Sequence, residues 1–131
     1  MTGPDAPGTY VEQPAAVLPA IVDGDVAMLR PCGEFDIANQ RDLGAAIHDA
    51  IISGHRSIIV DLREVTFIDA STIHMLLRNQ RLAESRGCGL SLINLTAASA
   101  LILRVLHIGP PLWNDTEDSE REQYGSIACL A

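Results

Sequence analysis

Six consecutive residues, Asp69-Ala70-Ser71-Thr72-Ile73-His74, bring together a carboxylate, two hydroxyls and an imidazole. These are the groups of a serine-nucleophile relay, but crowded into six positions they make a poor one. At a helix start Ser71 and His74 share one face, and no third group orients the imidazole. A Gly-x-Ser-x-Gly elbow is also missing from the sequence. No catalytic residue is assigned, and the chain is expected not to be an enzyme. Two other roles stay open. A helix start presents backbone N–H groups that favour anions, so a phosphate carried here would be well received. Asp69, Ser71 and Thr72 are equally good capping residues with nothing further to do.

A second constellation, Gly33-Glu34-Phe35-Asp36, follows an apolar run and precedes a helical pattern. In a chain of alternating strands and helices it lies on the same edge as Asp69, at the carboxyl ends of strands, where open α/β sheets carry their sites. Its two acids form either an acidic patch or a solvated turn, and spacing does not separate the two. His48, His55 and His107 lack metal-ligand spacing to one another or to cysteine and read as surface residues. Neither a metal nor a cofactor is expected. Cys32, Cys88 and Cys129 are an odd, widely spaced set that implies no disulfide framework. Cys88, between two glycines, reads as accessible and as an inert thiol, and Cys32 and Cys129 as half-buried.

The positioning elements must come from one domain, since 131 residues suffice for a single core. Hydrophobic residues make up 47% and aromatics only 4%, so that core is aliphatic. Seventeen acidic against nine basic residues leave a net charge of −8, which argues against nucleic acid or an anionic membrane as partner. Every basic residue is arginine, which removes phosphate-loop and Schiff-base lysine chemistry. The first residues have no signal-peptide pattern and no apolar run is long enough to span a bilayer. A cytoplasmic location without membrane insertion is expected.

Residues 1–16, with Pro4, Pro7 and Pro14, read as a flexible leader, and 17–131 as one domain. Asp23-Gly24 between apolar runs signals a hairpin, and Pro31 makes the far end of its second strand an edge or a bulge. Asn39 is the expected cap of a first helix that buries Leu43, Ala46, Ile47, Ala50 and Ile51 and stops at Gly54. Ser57–Leu62 is a β-branched run suited to a central parallel strand. The stretch Thr66–Ile68 reads as part of the turn into a second helix, about Ser71 to Arg86, closed by Gly87. A further strand over 89–94 leads to a third helix, about Ala97 to His107, with Ala98, Leu101, Ile102 and Val105 inward and a wide apolar face. Residues 115–131 form an acidic, weakly patterned tail or short helix. The sum is an α/β fold: a mostly parallel mixed sheet of about four or five strands with an N-terminal antiparallel hairpin, flanked by three or four helices.

Gly33-Glu34-Phe35-Asp36 before a helix, followed by Ile59-Val60-Asp61-Leu62-Arg63-Glu64-Val65-Thr66-Phe67-Ile68-Asp69-Ala70-Ser71, resembles the STAS domain of anti-sigma-factor antagonists over about residues 17–114. The resemblance implies a small α/β sandwich without catalysis of its own. It also implies a partner: an anti-sigma factor, usually a serine kinase, whose sequestration frees a sigma factor for transcription. Asp36, Asp69, Ala70, Ser71, Thr72 and Met75 would then lie on the partner surface.

The family pattern is Asp-Ser-Ser/Thr-Gly, with the kinase phosphorylating the serine after the aspartate. Here Ala70 holds that place and Thr72 replaces the glycine. Ser71 is the candidate shifted acceptor. Otherwise the domain binds permanently in its unphosphorylated form, or the fold is reused without phosphorylation. An alternative within the resemblance is a ligand-responsive or transporter-associated STAS module.

Overall fold

A two-residue loop, Gly24-Asp25, joins β1 (Ala16–Asp23) to β2 (Val26–Phe35), pairing Asp23 with Val26. Gly24 takes φ +61°, the left-handed conformation that the first position of a tight hairpin loop demands. The computed structural model describes residues 15–114. The expected leader and acidic tail therefore lie almost wholly outside the described residues. From β2 the chain forms α1 (Arg41–Ile52), β3 (Ser57–Asp61), β4 (Glu64–Ile68), α2 (Ala70–Ser85), β5 (Gly89–Ile93) and α3 (Ala97–Val105).

The sheet runs β1-β2-β3-β5, with β1 antiparallel and the other pairings parallel, and β4 also parallel to β2. Ile58, Ile59 and Val60 of β3 are completely buried between β2 and β5, as the β-branched run requires. Alternate residues serve opposite faces. Ala27, Leu29, Ile58, Val60, Leu90 and Leu92 join the helices in the main core, while Met28, Ile59 and Ile93 form a smaller cluster. The expected α/β architecture is what the chain adopts, with five strands and three helices among the described residues.

β4 departs from expectation: the stretch read as a turn is a strand. The cause is Pro31, which has no N–H to donate. β2 pairs with β3 as far as Leu29 opposite Val60, and with β4 from Cys32 opposite Glu64. Between them Arg30 and Pro31 face Asp61, Leu62 and Arg63, one residue too many, so the neighbouring strand breaks in two. Asp61 seals the break: Oδ1 accepts from the Arg63 N–H at 3.0 Å and the Asn94 amide at 3.1 Å. Pro31 thus marks a bulge but no edge, because β2 has neighbours on both sides.

Two helix details also change. Asn39 does not cap α1; Gln40 occupies that position, in helical conformation and without a side-chain capping bond. α3 buries Ser99, Ala100 and Leu103, whereas Leu101 is 58% and Val105 66% exposed and Ala98 is exposed as well. Ala-Ala-Ser-Ala-Leu-Ile-Leu offers two almost equally apolar stripes. The Thr96 cap decides between them: its hydroxyl oxygen accepts from the Ser99 N–H at 3.2 Å and its hydroxyl bonds the Ser99 Oγ at 3.0 Å, which makes Ser99 buriable.

Candidate functional site

Parallel pairing of β2 with β4 sets Glu34 opposite Phe67 and Phe35 opposite Ile68, so both strands end together. The Asp69 N–H closes that end on the Phe35 carbonyl at 3.2 Å. The two constellations therefore share one edge, as their spacing suggested.

Beyond β2 the chain makes a tight turn that Asn39 holds. Its Oδ1 accepts from the Asp36 N–H at 2.8 Å and its amide donates to the Glu34 carbonyl at 2.8 Å. The Asp36 carbonyl accepts from the N–H groups of Asn39 and Gln40, and Asp36 Oδ1 accepts from the Ala38 N–H at 2.9 Å. Asn39 is thus a turn residue. Its side chain faces the strand end, where it satisfies two backbone groups.

Asp69 caps α2 with one oxygen. Oδ1 accepts from the Thr72 N–H at 2.9 Å, the Thr72 hydroxyl at 2.9 Å and the Ser71 hydroxyl at 2.8 Å. Burial acts to raise the Asp69 pKa, but bonds from the Thr72 N–H, both hydroxyls and the Ile37 N–H outweigh it, holding the carboxyl below its ordinary range. From α1, Gln40 Nε2 donates to Ser71 Oγ at 2.9 Å and reaches Thr72 Oγ1 at 3.4 Å. The Ser71 hydroxyl thus gives its proton to Asp69 and receives one from Gln40. Chemically the cluster is a locked cap, with Ala70 exposed at its rim.

Burial sorts the expected residues. Thr72 is fully buried and Met75 is 5% exposed, so neither side chain is presented at the surface where the resemblance put it. Met75 packs toward α1, where a Cβ on Gly44 would sit 3.5 Å from its sulfur. Asp36 and Asp69 are half-buried, and each carboxylate accepts a backbone N–H of its own loop. Ala70 is exposed and Ser71 half-buried. Cys88 is buried, not accessible, and burial pushes its thiol pKa up. Cys32 is half-buried as expected, and Cys129 lies outside the described residues. Of the surface histidines His55 is half-buried and His48 and His107 are exposed. Alkylation of native protein by iodoacetamide, mapped by mass spectrometry, is expected to spare Cys88 and to modify it after unfolding in urea; equal labelling in both states would contradict its burial.

Sequence reasoning missed Gln40, the Ile37 N–H and the outward Phe67. Gln40 gives no signal because its partners lie 31 and 32 residues away. Among the described residues no three His, Cys, Asp or Glu side chains group to hold a metal. None of the helices described is long and apolar enough to cross a membrane.

Comparison with solved structures places this geometry among known folds. The Bacillus anti-sigma factor antagonist SpoIIAA in its unphosphorylated form aligns with TM-score 0.64 at 21% identity, covering 86% of this chain and 97% of that one. An anti-sigma factor antagonist from Mycobacterium paratuberculosis aligns with TM-score 0.70 at 15% identity, covering 83% and 94%. A sulfate transporter family protein from Wolinella succinogenes gives 0.61 at 23%, covering 85% and 93%. No curated protein sequence matches. The family model described as "Mlab, STAS domain" matches residues 22–110, most of the chain and all but the outer ends of the described sheet and helices. By that match and by its fold, the chain belongs to the STAS domain family.

Proposed function

We propose that this STAS domain is a cytoplasmic, non-enzymatic binding module that sequesters an anti-sigma factor, and so frees a sigma factor, without phosphorylation at the usual position. The observation that carries the reading is the α2 start. Its N-terminal edge has the strand-end and cap arrangement at which the resemblance puts partner binding, yet Ala70 exposes a methyl where an acceptor hydroxyl would stand. Ser71 is a poor substitute. Its Oγ bonds Asp69 at 2.8 Å and Gln40 at 2.9 Å, so phosphorylation would break both bonds and set a dianion against a carboxylate. Permanent binding is therefore favoured over a shifted acceptor.

The test is co-expression of the tagged chain with each serine-kinase-type anti-sigma factor of its own genome. One of them is expected to co-purify stoichiometrically, and the chain to remain unphosphorylated on Ser71 after incubation with ATP. Binding to none of them would overturn the reading. The similarity to a sulfate transporter family protein favours a second reading, a transporter-associated module. Association with a membrane transporter, and with no anti-sigma factor, would select it.

A further inference from the structure

The loops that end α1 and α2 meet because the strands they lead into are neighbours. β3 and β5 run parallel with Ser57 opposite Gly89, and the Gly89 N–H donates to the Arg56 carbonyl at 2.9 Å. Gly54, at φ +90°, and Gly87, at φ +74°, turn the chain sharply out of each helix. Between the two turns lies a cavity of about 400 Å³, within the size range of small-molecule sites. Ile51 and Ile52 give it an apolar wall. Its charged lining is Arg56 and Arg86, with His55 beside them and no carboxylate. Two of nine arginines share this one cavity in a chain with seventeen acids.

Arginines that follow a helix often serve its last carbonyls. Here the backbone already does so. The Asp49 and Ile51 carbonyls accept from Ser53 and Gly54, the Ala83 carbonyl from Arg86 and Cys88, and the Glu84 carbonyl from Gly87. Among the described residues no carbonyl or carboxylate takes a hydrogen bond or an ion pair from either guanidinium. Asp25, in the hairpin loop, meets Arg56 only through the backbone, and its side chain does not line the cavity. The two helix ends disfavour an anion, each with about half a negative charge. Two guanidinium charges outweigh them and leave about one positive charge before His55 is counted.

We propose that this cavity binds the phosphate of a small phosphate monoester, with Arg56 and Arg86 as its clamp and a His55 ring N–H as a further donor. Two guanidiniums match the nearly two negative charges of such a phosphate, and each planar fork suits two of its oxygens. A single carboxylate would leave one fork without an acceptor. Ile52 is 49% exposed and offers the organic part of the ester an apolar surface. The site stands apart from the partner edge. The Gln40–Ser71 bond brings the starts of α1 and α2 together, and the sixteen residues of α2 put its far end about 24 Å away. The proposal is therefore independent of the anti-sigma-factor role.

The experiment is a titration of the full nitrogen-15-labelled chain with glycerol 3-phosphate, followed by amide NMR at constant ionic strength. At about pH 7.5, where the phosphate is a dianion, the amides of Gly54, Arg56, Gly87 and Gly89 are expected to shift saturably, with a Kd of about 1 mM or tighter. Arg56→Gln and Arg86→Gln should each weaken binding about tenfold, and the double variant should abolish it. Arg78→Gln, exposed on α2 and outside the cavity, should change it less than about twofold. Arg56 and Arg86 are exposed, so circular dichroism melting of their variants should match wild type. A second arm uses vesicles of phosphatidic acid in phosphatidylcholine, whose headgroup is also a phosphate monoester. The net charge of −8 predicts no co-sedimentation. Co-sedimentation that the double variant loses would uphold the clamp and make a lipid headgroup the source of the phosphate. Shifts that do not saturate by about 50 mM, or that both glutamine variants retain, mean an adventitious ion only and overturn the site. Binding in neither arm overturns it too, and every one of these outcomes leaves the anti-sigma-factor role standing.

Discussion

Ala70→Ser is expected to gain one phosphoryl group from the cognate kinase, detected by intact mass, and to bind the anti-sigma factor about a hundredfold more weakly once phosphorylated. Ala70 is the first residue of α2 and exposed, so a serine there meets no steric obstacle and its hydroxyl faces solvent. Before phosphorylation the variant should have wild-type affinity and differ in stability by less than about 0.5 kcal/mol. The loss comes with the charge: nearly two negative charges arrive at an edge that already holds Asp36 and Asp69. A serine that stays unmodified, in a complex that still forms, would show that the departure from the family pattern runs deeper than one hydroxyl.

Asp69→Ala should be the most damaging single change at the edge. It removes the α2 cap, worth about 1–2 kcal/mol, and orphans the hydroxyl of fully buried Thr72, worth about 1–3 kcal/mol more. Allowing for overlap, a loss of about 3 kcal/mol is expected in urea unfolding at neutral pH, with Tm lower by about 10 °C. Its pH dependence follows from the sign of the pKa shift. The folded Asp69 carboxyl ionises below the ordinary aspartate value of 3.8, so its contribution is complete above that pH and fades as pH falls toward the folded value. The gap between wild type and Asp69→Ala should therefore narrow at about pH 3. A gap that stays constant would mean that the carboxylate charge plays no part in the cap.

Much of this architecture is legible in local chemistry. The hairpin at Gly24, the α1 stripe through Leu43, Ile47 and Ala50, and the Asp69 cap each depend on neighbours within one or two turns. The errors arise where a decision is made across the sheet. β4 hides in the sequence because the break before it is set by Pro31, far upstream on another strand. Thr72 reads as polar surface, but Asp69 satisfies its hydroxyl and so permits its complete burial. Met75 reads as surface until Gly44 on α1 makes room for it. For α3, two apolar stripes compete and a capping threonine selects the less hydrophobic one.

The methyl of Ala70 has a consequence at the level of dose. A protein that a kinase can mark has two inputs, how much of it exists and what fraction is marked. In the role proposed here this chain keeps only the first. Its partner would be titrated by mass action, with little release until copies approach equivalence and a steep rise beyond. Synthesis and degradation would then set the threshold, and the response could be reversed no faster than the chain is removed.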